Sequence, residues 1–183
     1  MRPQRLIPIL SALLLSVPAA AQHEGHSHPA GDEELGNVHF SVSCNEAAQK
    51  QFNRAVAMLH SFWYEESQKT FAEVLAADPR CGMAWWGVAM TQYHPIWYPP
   101  TAAELAKGRD AVARARSVGA ATEREKAYIE AIGVFYDGSD TTDHKTRAAA
   151  YEKAMGEVSR RYPEDLEAVA FHAVALLWTL SVA

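Results

Sequence analysis

Two cysteines, no lysine- or arginine-rich run and no stretch of strand-like alternation set the first limits on this chain of 183 residues. Its formal net charge is −5. An acidic chain without a basic patch is a poor partner for nucleic acid, whose phosphates need lysine and arginine. A basic amphipathic helix of the kind that lies on an anionic membrane is also missing. No G-x-S-x-G, Walker loop, G-x-G-x-x-G or C-x-x-C-H occurs. The common nucleophilic, phosphate-binding, dinucleotide and haem-attachment chemistries therefore have no signature here. His23-Glu24-Gly25-His26 is not the zinc-protease arrangement, which needs two residues between the glutamate and the second histidine.

The amino end has the three regions of a secretory leader. Arg2 and Arg5 form a basic head, Leu6 to Val17 carries no charge, and Ala19 and Ala21 fit the A-x-A pattern cut by a signal peptidase. The apolar run is shorter than the ~20 residues that cross a bilayer. Residues 1–21 are therefore expected to be a signal peptide, with cleavage after Ala19 as the alternative site. The remainder, more acidic for losing two arginines, is expected to be periplasmic or secreted, with no transmembrane segment after cleavage. In such a compartment an even cysteine count points to a Cys44–Cys81 disulfide. A thiol or metal pair is a weaker reading of two cysteines so far apart.

Residues 22–42 are rich in His, Gly, Glu and Asp and show no apolar period, the composition of a flexible tether. His23, His26 and His28 lie close together within it. Neutral imidazoles in this spacing suit Cu, Ni or Zn, although a solvated linker has the same composition.

From residue 43 to 183 helix signals follow one another. Ser43 to Glu46, Thr101 to Glu104 and Thr122 to Glu125 each read as a capping box. Phe52, Ala55, Val56 and Leu59 share one helix face. A second helix runs from about Tyr64 to Asp78-Pro79, where proline stops it, and a third from about Cys81 to His94-Pro95. Pro95-Ile96-Trp97-Tyr98-Pro99-Pro100 cannot be helix interior. Further helices follow from Thr101 to Gly119, Thr122 to about Gly138, about Asp143 to Arg161, and from Asp165 onward. Residues 171–183 are almost wholly apolar, so further chain or a partner is expected to cover them.

Tyr64 to Phe71, Val74 and Asp78-Pro79 follow the second-helix pattern of a tetratricopeptide repeat, and Trp85-Trp86-Gly87-Val88-Ala89 sits where the next W-x-x-L-G belongs. Ala150 to Met155, Val158 and Tyr162-Pro163 repeat the second-helix pattern. The spacing of Pro79 and Pro163 is not a multiple of the ~34-residue period, so the register breaks between them. With His60-Ser61-Phe62-Trp63-Tyr64, these residues resemble a family of exported bacterial tetratricopeptide-repeat proteins. Members are usually longer, which implies an N-terminal fragment of a longer protein. The resemblance implies an all-α fold of antiparallel helix pairs stacked as a right-handed α-solenoid. It also implies a scaffold for protein or peptide partners, without catalytic activity.

Within that scaffold Trp85 is expected in the repeat core, and Trp97 and Tyr98 on an exposed, proline-bound loop. His60 and His94 fall near the ends of successive first helices. They are candidates, with Trp97 and Tyr98, for a ligand or partner surface. The ordinary alternative for each is a histidine bonded to backbone at a helix end.

Overall fold

The computed structural model describes residues 35–181, and the described residues form seven helices and no strand. They are α1 (Glu46–His60), α2 (Tyr64–Ala77), α3 (Gly82–Met90), α4 (Ala102–Val118), α5 (Glu123–Tyr136), α6 (His144–Arg161) and α7 (Leu166–Ser181). Consecutive helices pack on one another throughout, and α3 also meets α1 and α5. No described helix is long and apolar enough to cross a membrane.

Local chemistry explains most helix ends. Thr101 opens α4 and Thr122 opens α5, each in a reciprocal capping box with Glu104 or Glu125. Asp143 caps α6 by accepting from the Thr146 amide. α2 ends at Ala77, just before Asp78-Pro79. α1 starts differently from the sequence reading. Its cap is Asn45, whose side chain accepts from Ala48 N–H, and Ser43 is turned away to serve Glu125. Asparagine caps as well as serine, so the box residues are free for another use. Asn45 also donates its backbone N–H to Asp78 Oδ2 at 2.8 Å and its side chain to Ala77 O at 2.9 Å, tying the start of α1 to the end of α2.

The expected disulfide is present. Cys44 and Cys81 lie 5.0 Å apart at Cα and join the residues just before α1 and α3. Beside it, α3 and α4 touch backbone to backbone. A Cβ on Gly82 would sit 2.1 Å from the Gly119 carbonyl oxygen, so only glycine allows the approach.

The core is built on aromatic rings. Phe52, Ala55, Val56 and Leu59 of α1 are all buried, as their spacing predicts. The tryptophan at the centre is Trp86, 1% exposed, and not Trp85. Trp86 meets Phe40, Tyr128 and Phe171 edge-on, with ring centroids 5.3–5.6 Å apart, the geometry favoured by ring quadrupoles. Trp85 packs at the rim, with the Arg114 guanidinium 4.9 Å over its ring. Phe40 belongs to the coil before α1, yet it is 1% exposed and also touches Phe52 and Tyr128. A second ring group joins Tyr93 to Phe135 and Tyr151.

One buried carboxylate holds this entry segment in place. Glu125 is 1% exposed. It accepts from Ser43 N–H and Oγ, and from Thr122 N–H and Oγ1. Burial alone would raise its pKa, but the hydrogen bonds from Ser43 and Thr122 outweigh burial and hold it below the ordinary value of 4.5. A carboxylate that binds protons more weakly when folded adds stability above the unfolded value. That stability is lost as pH falls through the lowered folded value. Melting temperatures taken downward from about pH 5 should therefore fall less steeply in Glu125→Gln than in the parent. The variant should also be less stable near neutrality, by about 1–3 kcal/mol. Parallel curves would show that Glu125 is not a source of the acid sensitivity.

Candidate functional site

The sequence candidates His60, His94, Trp97 and Tyr98 fall around one corner of the helical body, where the α1–α2 turn meets the loop after α3. Helix α3 stops at Met90, short of the expected His94. The chain turns through Thr91, Gln92 and Tyr93 before proline forces it into the Pro95–Pro100 loop.

Backbone strain gathers here. Among the described residues three non-glycines have positive φ: Phe62 at 60°, His94 at 46° and Ile96 at 81°. Phe62 lies in the α1–α2 turn, and the other two flank Pro95. Side chains with a Cβ avoid this region, at about 1–3 kcal/mol per residue in sparsely populated conformations, and such residues cluster at functional sites. Ile96 is the most costly, being β-branched.

The aromatic candidates are displayed on that strained loop. Trp97 is 61% exposed and Tyr98 51% exposed. Trp97 leans its ring edge on Phe62 at 5.9 Å, so the two strained segments touch. Tyr98 lies 5.0 Å from the His94 ring, and Tyr64 lies 4.6 Å from it on centroids.

The two histidines have separate partners. His94 is buried, and its Nδ1 is 3.4 Å from Glu104 Oε1 but outside hydrogen-bond geometry. Burial lowers its pKa, and the Glu104 carboxylate and a hydrogen bond with the Thr91 backbone only partly offset this, so the neutral imidazole is favoured. His60 closes α1 and reaches α7. Its Nε2 is 2.7 Å from Glu167 Oε2, and its ring stacks on Phe171 at 4.9 Å. Two further histidines also meet side chains of the α6–α7 pair: His172 bonds Glu152 at 2.8 Å, and Trp178 donates to His144 at 2.7 Å.

Behind the loop lies a small cavity of about 30 Å³ bordered by His60, Phe62, Tyr64, Tyr93 and Pro95. The hydroxyls of Tyr64 and Tyr93 are buried without a hydrogen-bond partner. An unmet buried hydroxyl costs about 1–3 kcal/mol. Burial, followed by neighbouring phenols, raises the pKa of both tyrosines, so both remain neutral donors. Nothing in the sequence singles out either hydroxyl.

No group of three His, Cys, Asp or Glu side chains suited to a metal exists among the described residues. His23, His26 and His28 lie outside the described residues. Comparison of the chain with protein-family models, with curated proteins and with solved structures finds no match.

Proposed function

We propose that the chain is an exported helical scaffold that binds a protein or peptide partner and performs no reaction of its own. The carrying observation is the corner just described, where exposed Trp97 and Tyr98 stand on the strained loop. Two adjacent aromatic side chains exposed on a stiff loop are suited to anchoring a partner. The packing of each helix on the next, and of α3 on both α1 and α5, supports a tetratricopeptide-like solenoid. In such an array α7 would be the first helix of a further pair. It buries Ala168, Phe171, Ala175 and Trp178 and exposes Leu166, Val169, Leu176, Leu177 and Leu180, which supports a second contact face there. Export is supported by the leader and by the disulfide, since disulfides persist in oxidising compartments.

The test compares the parent with Trp97→Ala/Tyr98→Ala as bait in a periplasmic extract. The variant should lose at least about ten-fold of the retained partner, the effect of removing hot-spot aromatics. Its stability should stay within about 0.5 kcal/mol of the parent. Equal retention by the variant, or no retention above an unrelated disulfide-bonded bait, would refute the reading.

A further inference from the structure

Helix α7 carries two apolar faces, where a helix at the surface of a globular body needs only one. The inner face, Ala168, Phe171, Ala175 and Trp178, is buried. The outer face is set by Leu166, Val169, Ala173, Leu176 and Leu180, all exposed. These residues recur at steps of three, four, three and four. A period of 3.5 residues is the seam along which one helix packs on another. Leu177, 55% exposed, widens the seam on one side. From Ala168 to Leu180 the one titratable side chain is His172, and it is turned to Glu152 on α6 at 2.8 Å.

The seam is also symmetric about Ala173. Leu166 and Leu180 lie seven residues to either side of it, Val169 and Leu177 four, and Ala170 and Leu176 three. In an antiparallel pair of identical helices with Ala173 on the two-fold axis, the two members of each couple face one another across the pair. Leu166 then meets Leu180, Val169 meets Leu177, and Ala170 meets Leu176. Leucine falls against a smaller side chain in two of these couples, which fills the space between helices without overpacking. Ala173 at the crossing lets the two backbones come close. A contact between identical surfaces requires this self-complementarity, whereas a seam for an unrelated helix does not. Antiparallel pairing also sets the positive end of each helix dipole beside the negative end of the other. With no charge along its length, the face meets a copy of itself without like-charge repulsion.

We propose that α7 is a homodimerisation surface, on which a second copy of this chain lays its own α7 antiparallel about a two-fold axis at Ala173. The proposal rests on the reading of α7 as a contact face and names what occupies it. The helix has 16 residues, so the seam is about 24 Å long. One helix face of that length is at the small end of specific interfaces, and the dimer is expected to be weak, with a Kd of about 1–100 μM.

Sedimentation equilibrium of the purified protein up to about 500 μM should show a monomer passing to a dimer. Leu176→Glu/Leu180→Glu should weaken the dimer at least about 100-fold, because pairing would bury unpaired carboxylates. Both residues are exposed in the single chain, so the melting temperature of the variant at low concentration should match the parent. Cysteine crosslinking gives a second measurement, since both native cysteines are held in the disulfide. Ala173→Cys should oxidise to a linked dimer by itself. Leu166→Cys and Leu180→Cys should link to each other in a mixture far better than either links to itself. A protein monomeric at the highest concentration, a dimer unmoved by the glutamates, or Leu166→Cys linking to itself as readily as Ala173→Cys would overturn the proposal. A monomer that gives adducts with a different protein from a photo-crosslinker at position 176 would overturn the dimer while keeping α7 as a contact face. Trp97→Ala/Tyr98→Ala should dimerise as the parent does.

Discussion

Opening the Cys44–Cys81 bond, by reduction or by replacing both cysteines with serine, should lower the unfolding free energy by about 4 kcal/mol. The bond spans 37 residues and holds α1 and α2 in one loop. Its removal lets the unfolded chain explore the conformations that the closed loop forbids. Against a typical domain stability of about 5–15 kcal/mol this is a large share. Urea unfolding with and without dithiothreitol measures it directly. A change below about 1 kcal/mol would mean that the Asn45–Asp78 and Asn45–Ala77 bonds already fix this junction.

Phe40→Ala should cost about 3–5 kcal/mol, as for other buried phenylalanines truncated to alanine. The effect is unusual in coming from a residue outside every helix. Phe40 packs on Phe52, Trp86 and Tyr128, and the Arg124 guanidinium covers its ring at 4.8 Å. Arg124 is itself bound to Asp165 at 2.9 Å and to the Ser41 carbonyl at 2.5 Å. Truncation therefore leaves a hole under a fixed cation. Denaturant midpoints for Phe40→Ala beside Trp97→Ala provide the comparison. A Phe40 loss no larger than that of the exposed Trp97 would show that the entry segment is not part of the core.

Phe40 also shows where the sequence stops being legible. It is one aromatic in a polar stretch with no periodicity, and periodicity is the signal that marks a buried face. The helices were legible because their signals are local: Thr101 with Glu104, Thr122 with Glu125, and the proline after Asp78. The disulfide was legible from the leader-like amino end and the even cysteine count. Trp85 and Trp86 point about 100° apart on α3, so the orientation of that helix decides which faces inward, and the repeat pattern put Trp85 there. Ser43 was read as a cap because only local partners are visible in sequence. Its actual partner, Glu125, is 82 residues away.

The candidate site divides in the same way. The proline-bound loop and its two aromatics were readable from composition. The orphaned hydroxyls of Tyr64 and Tyr93 were not, since a tyrosine looks the same in sequence whether or not its hydroxyl finds a partner. Nor was the bond between His60 and Glu167, which joins the last residue of α1 to the first turn of α7, 107 residues further on.

The central claim is that the Trp97–Tyr98 corner is where a partner binds. A photo-crosslinking phenylalanine placed at position 97, and separately at position 134 on the exposed side of α5, tests it in intact cells. The account predicts a discrete adduct from position 97 that is absent at position 134. Adducts of the same pattern at both positions, or none at position 97, would contradict it.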